Sequence, residues 1–365
     1  MPDTPNTMRN IARVARVSVA TVSKCLSNKA DVSAATRERV LRVCRELGYR
    51  PNPLVAALMQ ARRRNASPAS HLTLAFVTAF PSANEWKQHP SPIFRQMFAG
   101  ALARATERNY KLEHFWLYQD GMSNQRFGKM LFARGIPGLL LAPIPSTRIT
   151  VDISWSAFSV VVLGLTPSTR QFHRVSTDYY QGMLLALEEC ARLGYRRPGF
   201  AVRRETTERL EHRWEAAYLF SQRRNPAKRP PKPLVVSEWT RDAVLDWIEH
   251  ERPDVIIGPV LGKLESIIRE SGRSVPGDIG MVGLLVPGEG DRLSGIIQDG
   301  EMVGAVAVDQ LISQIERNEK GVPAHPITHT MPGHWNHGAT ARFTESPKRS
   351  RSIRPGVIPT TSPPA

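Results

Sequence analysis

Ala15-Arg16-Val17-Ser18-Val19-Ala20-Thr21-Val22-Ser23-Lys24 offers hydroxyls, small methyls and one ammonium at spacings that suit contact with nucleic-acid bases. The methyls of Val19 and Ala20 can touch a thymine methyl, and Lys24 can donate to guanine O6 or N7. The hydroxyls of Thr21 and Ser23 can bind phosphate oxygens, which sets register without reading sequence. To act together these residues must share one face of a helix. A first helix is expected from about Thr7, a possible cap, to Ala15. A turn follows through Arg16 and Val17. Ser18 then caps a second helix, Val19 to about Ser27, because its hydroxyl can accept a free first-turn N–H. Val22, Cys25 and Leu26 are expected to face inward against Ile11, Val14 and Ala15. Val19, Ala20, Ser23 and Lys24 then face outward, and two short helices joined this way form a helix-turn-helix. A third helix is expected behind Ser33, with Val40, Val43, Cys44 and Leu47 at helical spacing and Gly48 as a left-handed cap.

Charge agrees with this reading. Residues 1–65 carry 13 Lys and Arg against four acidic residues, so +9 of the chain's +16 lies there. Such a surface binds phosphate with affinity that falls steeply as salt rises. Charge alone fits RNA or an anionic membrane equally well. The helix pattern is what points to duplex DNA.

The ordered series Ile11-Ala12, Val17 to Ser23, Val32-Ser33, Thr36-Arg37, Val40 and Leu47-Gly48-Tyr49-Arg50-Pro51-Asn52 closely resembles the lactose-repressor family of bacterial regulators. The resemblance implies a DNA-contact set of Thr7, Ser18, Val19, Ala20, Thr21, Ser23, Lys24, Asn28, Ser33, Tyr49 and Asn52. It also implies that Pro53 to Ala61, too short to be a stable helix alone, is a hinge helix that folds when the dimer is on its operator. There Leu58 would wedge into the minor groove and kink the duplex. One departure is Arg16, where the family usually has Gly. Arg carries a steric cost there if φ is positive, and it offers the turn a phosphate contact.

These elements need a scaffold, and the 365 residues supply one. The expected organisation is a head at 1–52, a hinge and linker at 53–71, a large domain at 72–343 and a disordered basic Ser/Pro-rich tail at 344–365. The polar N-terminus does not read as a signal peptide, and no apolar run is long enough to span a membrane. Cys25, Cys44 and Cys190 are odd in number and unclustered, which suits reduced, buried thiols. Beyond residue 71, strand-like and helix-like runs alternate from Leu72–Phe80 to Glu301–Glu319. Among them a helix is expected over Leu210–Arg223. Alternation of this kind implies βαβ units with parallel sheets. The fold class is therefore α/β, with an all-α head. Val175-Ser176-Thr177-Asp178, Leu193-Gly194-Tyr195 and Ser274 to Gly283 also resemble the family's effector domain, a periplasmic-binding-protein-like pair of lobes. The resemblance implies lobe one at 72–170 and 300–329, and lobe two at 171–299 and 330–343.

In two-lobe folds the ligand lies at the carboxyl ends of the strands. Candidate ligand residues are Trp86, Phe94, Asp178, Arg209, Arg213, Trp214 and Gln298, with Trp116 and Trp155 as further aromatic faces. Two acidic positions usual in the family are absent. Gly258-Pro259-Val260-Leu261 and Leu284-Leu285 stand there, which argues against a standard hexose. His334 and His337 lack the Cys or acid cluster of a metal site. Asp178 and His173 are not accompanied by a nucleophile, so no enzyme, cofactor or metal is expected. The expected protein is a cytoplasmic, nucleoid-associated homodimeric regulator, a repressor by resemblance. It would bind a pseudo-palindromic operator and answer to a small carbohydrate-like effector. The alternative is a DNA-binding regulator with a degenerate pocket that answers to a protein partner or to no ligand.

Overall fold

The computed structural model describes residues 8–26, 32–47, 72–146, 149, 151–165, 171–224, 230–259 and 261–342. The head holds α1 (Met8–Val14), α2 (Val19–Leu26) and α3 (Ala34–Glu46). Ile11, Ala12, Ala15, Val22, Cys25, Val40, Val43 and Cys44 form its small core. Val14, expected inside, is instead 44% exposed. It lies at the end of α1, where the helical repeat turns it away from the Ile11–Ala15 stripe. Both later helices start with the same device. Ser18 Oγ accepts from Thr21 N–H at 3.0 Å, and Ser33 Oγ accepts from Thr36 N–H at 3.3 Å. In the turn between α1 and α2, Arg16 adopts φ +52°, a left-handed conformation that glycine would take without a Cβ penalty. The expected cap Gly48, the hinge segment and the tail from Thr344 lie outside the described residues.

The remainder divides into two compact units. The first comprises 72–177 and 299–331 with the head, and the second comprises 178–298 and 332 onward. In the first, β1 (Leu72–Thr78), β2 (Tyr110–Trp116), β3 (Gly138–Leu141), β4 (Ser159–Leu163), β5 (His173–Thr177) and β11 (Thr328–Met331) form one sheet in the order β11-β5-β4-β3-β1-β2. Every pairing in it is parallel. Its helices are α4 (Glu85–Gln88), α5 (Ile93–Glu107), α6 (Asn124–Ala133) and α12 (Gly300–Glu316). Strands such as Ser159–Leu163 are buried along their whole length, as expected where helices cover both faces. The expected start of lobe two at residue 171 is corrected: β5 pairs with β4 and β11, so the chain leaves the first sheet only after Thr177.

The second unit begins with α7 (Tyr179–Arg192), β6 (Pro198–Arg203), α8 (Arg204–Arg209) and α9 (Arg213–Arg224). It continues through β7 (Leu234–Val236), α10 (Arg241–Glu251), β8 (Val255–Gly258), α11 (Gly262–Glu270), β9 (Gly280–Val286), β10 (Gly295–Ile297) and β12 (His334–Asn336). The sheet order is β12-β10-β9-β8-β6-β7. Only β12 runs antiparallel to its neighbour. The expected single helix over Leu210–Arg223 is interrupted. Leu210 closes α8, then Glu211 and His212 take φ +52° and +56° before α9 starts.

In the first unit α5 and α12 approach backbone to backbone. A Cβ on Gly304 would strike the Met97 carbonyl, and one on Gly100 would strike the Glu301 backbone. Overpacking at such a site costs about 1–3 kcal/mol. Gly304→Ala is therefore expected to lower the stability of the full chain, read from its urea midpoint, by that amount. Gly262→Ala, where a Cβ meets nothing, should leave the midpoint unchanged or raised. Equal responses would contradict the close approach. In the head, Arg16→Gly removes about 1 kcal/mol of left-handed strain, partly offset by glycine's unfolded-state entropy. Amide exchange in α1 and α2 should then slow or stay level; acceleration would contradict a strained turn.

Candidate nucleic-acid interface and effector edges

Val22 and Cys25 anchor α2 in the head core, and this fixes which residues look outward. Val19, Ala20 and Lys24 are exposed, and Thr21 and Ser23 are half-buried at the flanks. The outward surface is thus shallow, with one long side chain. Ser18 Oγ lies 2.8 Å from Thr21 Oγ1, so the two hydroxyls hold each other while Ser18 caps the helix. Ser33 Oγ donates to Thr36 Oγ1 at 2.9 Å, so its hydroxyl serves the start of α3. Ser18, Val19, Ala20, Thr21, Ser23 and Lys24 are therefore brought together, whereas Ser33 belongs to a different helix start. Thr7, Asn28, Tyr49, Asn52 and Leu58 lie outside the described residues. No acidic residue occupies the first turn of any of the three helices. Their N-terminal partial positive charge is left without a side-chain counter-charge, which favours an external anion. Arg13 and Arg16 are exposed beside the turn, with Arg13 bonded to Asn10 Oδ1 at 2.8 Å.

In the first unit, Trp86 and Phe94 do not present free ring faces. They pack with Phe80, Phe76 and Phe98, with centroids 5.1–5.9 Å apart. The sequence could not show that the rings would stack on one another. Trp86 Nε1, Ser91 Oγ and Thr177 Oγ1 are buried without a hydrogen-bond partner among the described residues. His114 Nε2 lies 2.8 Å from Thr78 Oγ1. Burial, then the Lys87 charge, holds the His114 pKa below the usual imidazole range. Trp116 Nε1 donates to the Phe80 carbonyl, and Trp155 packs on Phe172. His173 is a structural group. Its Nδ1 accepts from Ile327 N–H at 3.1 Å, which leaves Nε2 to donate to Glu319 at 2.8 Å.

The second unit places its candidates at one end of the sheet. α7 ends just before β6 begins, so its first residue, Tyr179, lies at the carboxyl edge of the parallel strands. Trp214, in the first turn of α9, meets Tyr179 edge-on with centroids 5.2 Å apart. Arg213 precedes it, and Arg209 ends α8. Gln298 follows β10 at the same edge, and its Nε2 donates to the Leu284 carbonyl at 3.1 Å. Asp178 caps α7, accepting from Gln181 N–H at 3.0 Å. Arg213 Nε, Trp214 Nε1 and Gln298 Oε1 are buried and without a hydrogen-bond partner among the described residues. Sequence reasoning misses the left-handed pair Glu211-His212 that presents Arg213 and Trp214, because Glu carries no signal for positive φ. A cavity of about 670 Å³ opens at the opposite, amino edge, with Ile248, Pro253 and Ile279 beside Arg252, Arg273 and Asp278. Arg273 lies 4.0 Å from Glu249, and Asp278 accepts from the backbone and hydroxyl of Ser274, which holds its carboxyl below the usual range.

Among the described residues no helix is long and apolar enough to cross a membrane. Residues 7–52 match the family model for bacterial regulatory proteins of the lacI family. The chain is 50% identical over 152 residues to the HTH-type transcriptional repressor CytR of Escherichia coli strain K12, a match spanning 42% of this chain and 39% of CytR. It therefore covers well under half the length of that relative. It is 23% identical over 331 residues to Catabolite control protein A of Priestia megaterium, spanning 85% and 93% of the two chains. Its fold is similar to that of the Lac repressor dimer bound to operator and the anti-inducer ONPF, with TM-score 0.52, 20% identity, and 93% and 100% of the chains covered. It is also similar to the transcriptional regulator CelR–cellobiose complex, with TM-score 0.54, 19% identity, and 92% and 99% covered. The head thus matches the lacI family model over residues 7–52, and the two-sheet fold that follows it is similar to that of the Lac repressor.

Proposed function

We propose that the protein is a sequence-specific DNA-binding transcriptional regulator that acts as a repressor. It binds a pseudo-palindromic operator as a homodimer, because two symmetric heads match two half-sites. The observation that carries this reading is the shallow outward surface of α2 (Val19, Ala20, Ser23, Lys24), packed on a fixed core between helix N-termini free of acidic side chains. A helix with such a face can enter the major groove deeply, while the basic residues of the head hold the phosphates. The relatives' names support the reading: CytR is a repressor, and the Lac repressor structure holds an operator. The protein acts in the cytoplasm at the nucleoid. A small ligand at the carboxyl edges of the sheets biases DNA binding through a coupling typically of about 1–3 kcal/mol. The CelR–cellobiose complex supports a carbohydrate-like ligand.

Footprinting on the DNA that flanks its own gene tests the reading. A protected inverted repeat is expected, and equal protection of all duplex would overturn it. Within that site Lys24→Ala is expected to relax base preference at one position per half-site, while Thr21→Ala weakens all sequences alike. Uniform losses from both would remove Lys24 from base reading. Arg16→Gln keeps the side chain's bulk without its charge. It should reduce the slope of log affinity against log salt by about 0.9 for each phosphate no longer neutralised, equally on operator and random duplex. An unchanged slope would show that Arg16 does not pair with phosphate. Leu58→Ala should reduce operator bending in a gel-phasing assay, and unchanged bending would exclude the wedge.

A further inference from the structure

The second unit shows more about its ligand than the family resemblance does. Its carboxyl edge is unbalanced in hydrogen-bonding capacity. Arg213 Nε and Trp214 Nε1 are donors only, and both are buried without a partner among the described residues. Trp214 is 1% exposed, and its N–H has no protein acceptor among the described residues. The carboxylates of Asp178, Glu205, Glu211, Glu215 and Glu289 each have at least one partner, though each keeps further acceptor sites. Asp178 caps α7. Glu211 accepts from Arg213 Nη2 at 2.9 Å, and Glu215 accepts from Thr207 Oγ1 and lies 2.9 Å from His212 Nδ1. Glu205 pairs with Arg203 at 3.5 Å. Glu289 is 89% exposed, facing solvent near His334. The strand ends that follow, Gly258-Pro259 and Leu284-Leu285-Val286-Pro287, bring no acid. Among the described residues of the second unit, the buried acceptor left without a partner is Gln298 Oε1.

A neutral polyol needs acceptors for its hydroxyl protons as well as donors, whereas the buried atoms left without a partner among the described residues of this unit are two donors and one acceptor. An oxyanion needs donors, and charge-assisted bonds from a guanidinium and an indole N–H are strong for it. We propose that the effector taken at this edge is an acid. It is a ring-bodied small molecule whose carboxylate or phosphate accepts from Arg213 Nε and Trp214 Nε1, with one hydroxyl donating to Gln298 Oε1. The left-handed pair Glu211-His212 holds the two donors at the head of α9, and Tyr179 fixes the indole edge-on. The assignment rests on the reading of this edge as the effector site.

The test is a thermal-shift panel on the full chain with matched pairs: hexose beside hexuronate and hexose 6-phosphate, pentose beside pentose 5-phosphate, and nucleoside beside its 5′-monophosphate. At least one acid is expected to raise Tm by about 5 °C at a hundredfold excess over its Kd, with its neutral parent flat. Whether the carboxylate or the phosphate member responds identifies the anion. Trp214→Phe keeps the ring and removes only the N–H. It should weaken that acid about tenfold while leaving the ligand-free Tm level or higher, since a buried unpaired donor is gone. Arg213→Gln should weaken it as well. A neutral member that shifts Tm as much as its acid would overturn the proposal and leave the effector reading intact. Trp214→Phe with undiminished acid binding would also overturn it. Flat curves for every compound would remove the effector reading itself and the proposal with it.

Discussion

A helix can come only as close to base edges as its own side chains allow, and the proposed role of the head depends on which face of α2 its core leaves outward. Val22 and Cys25 face into the core and fix the rotation of α2 about its axis. Only with that rotation do Val19 and Ala20 face outward together with Lys24. Ser18 and Ser33 set where two of the three helices start, each by accepting a first-turn N–H. A cap of this kind contributes about 1 kcal/mol, a large share of the stability of so small a core. Loss of a core residue would therefore turn the reading face as well as loosen the fold.

The two sheets obey a different constraint. Parallel strands need crossover helices, and these bury both faces of each sheet. Polar chemistry is thereby pushed to the strand ends. In the second unit it gathers at the carboxyl edge, where α7 and α9 both begin. The interruption at Glu211 and His212 is a departure from regular helix that places Arg213 and Trp214 at this edge. Strained backbone of this sort commonly marks a working site. In the first unit the corresponding aromatic residues close on one another instead, and the carboxyl edge there is an aromatic cluster with the half-buried His114 imidazole beside it.

Much of this is readable from the sequence, for identifiable reasons. The head is legible because its second and third helices combine a capping serine with apolar residues at 3.6 spacing, and short-range rules suffice for both. Val14 escapes those rules because it ends its helix, where periodicity has no further turn to correct it. The alternation of strands and helices is clear, but the lobe to which β5 belongs is not. His173–Thr177 carries no mark of which sheet it joins, since pairing is a long-range choice. The short strands β7, β10 and β12 have too few residues for a periodic signal. Arg213, Trp214 and Gln298 are nameable from their order in the chain. Their buried, unpartnered atoms emerge only from three-dimensional packing.

The central claim is that the Val19–Ala20 surface of α2 lies against base edges in the major groove. The most direct measurement is a methyl-detected NMR experiment on the full chain bound to a duplex it selects. The account predicts intermolecular NOEs from the Val19 and Ala20 methyls to thymine methyls or cytosine H5 in the major groove. A saturated complex in which those methyls show no NOE to any major-groove proton would contradict it.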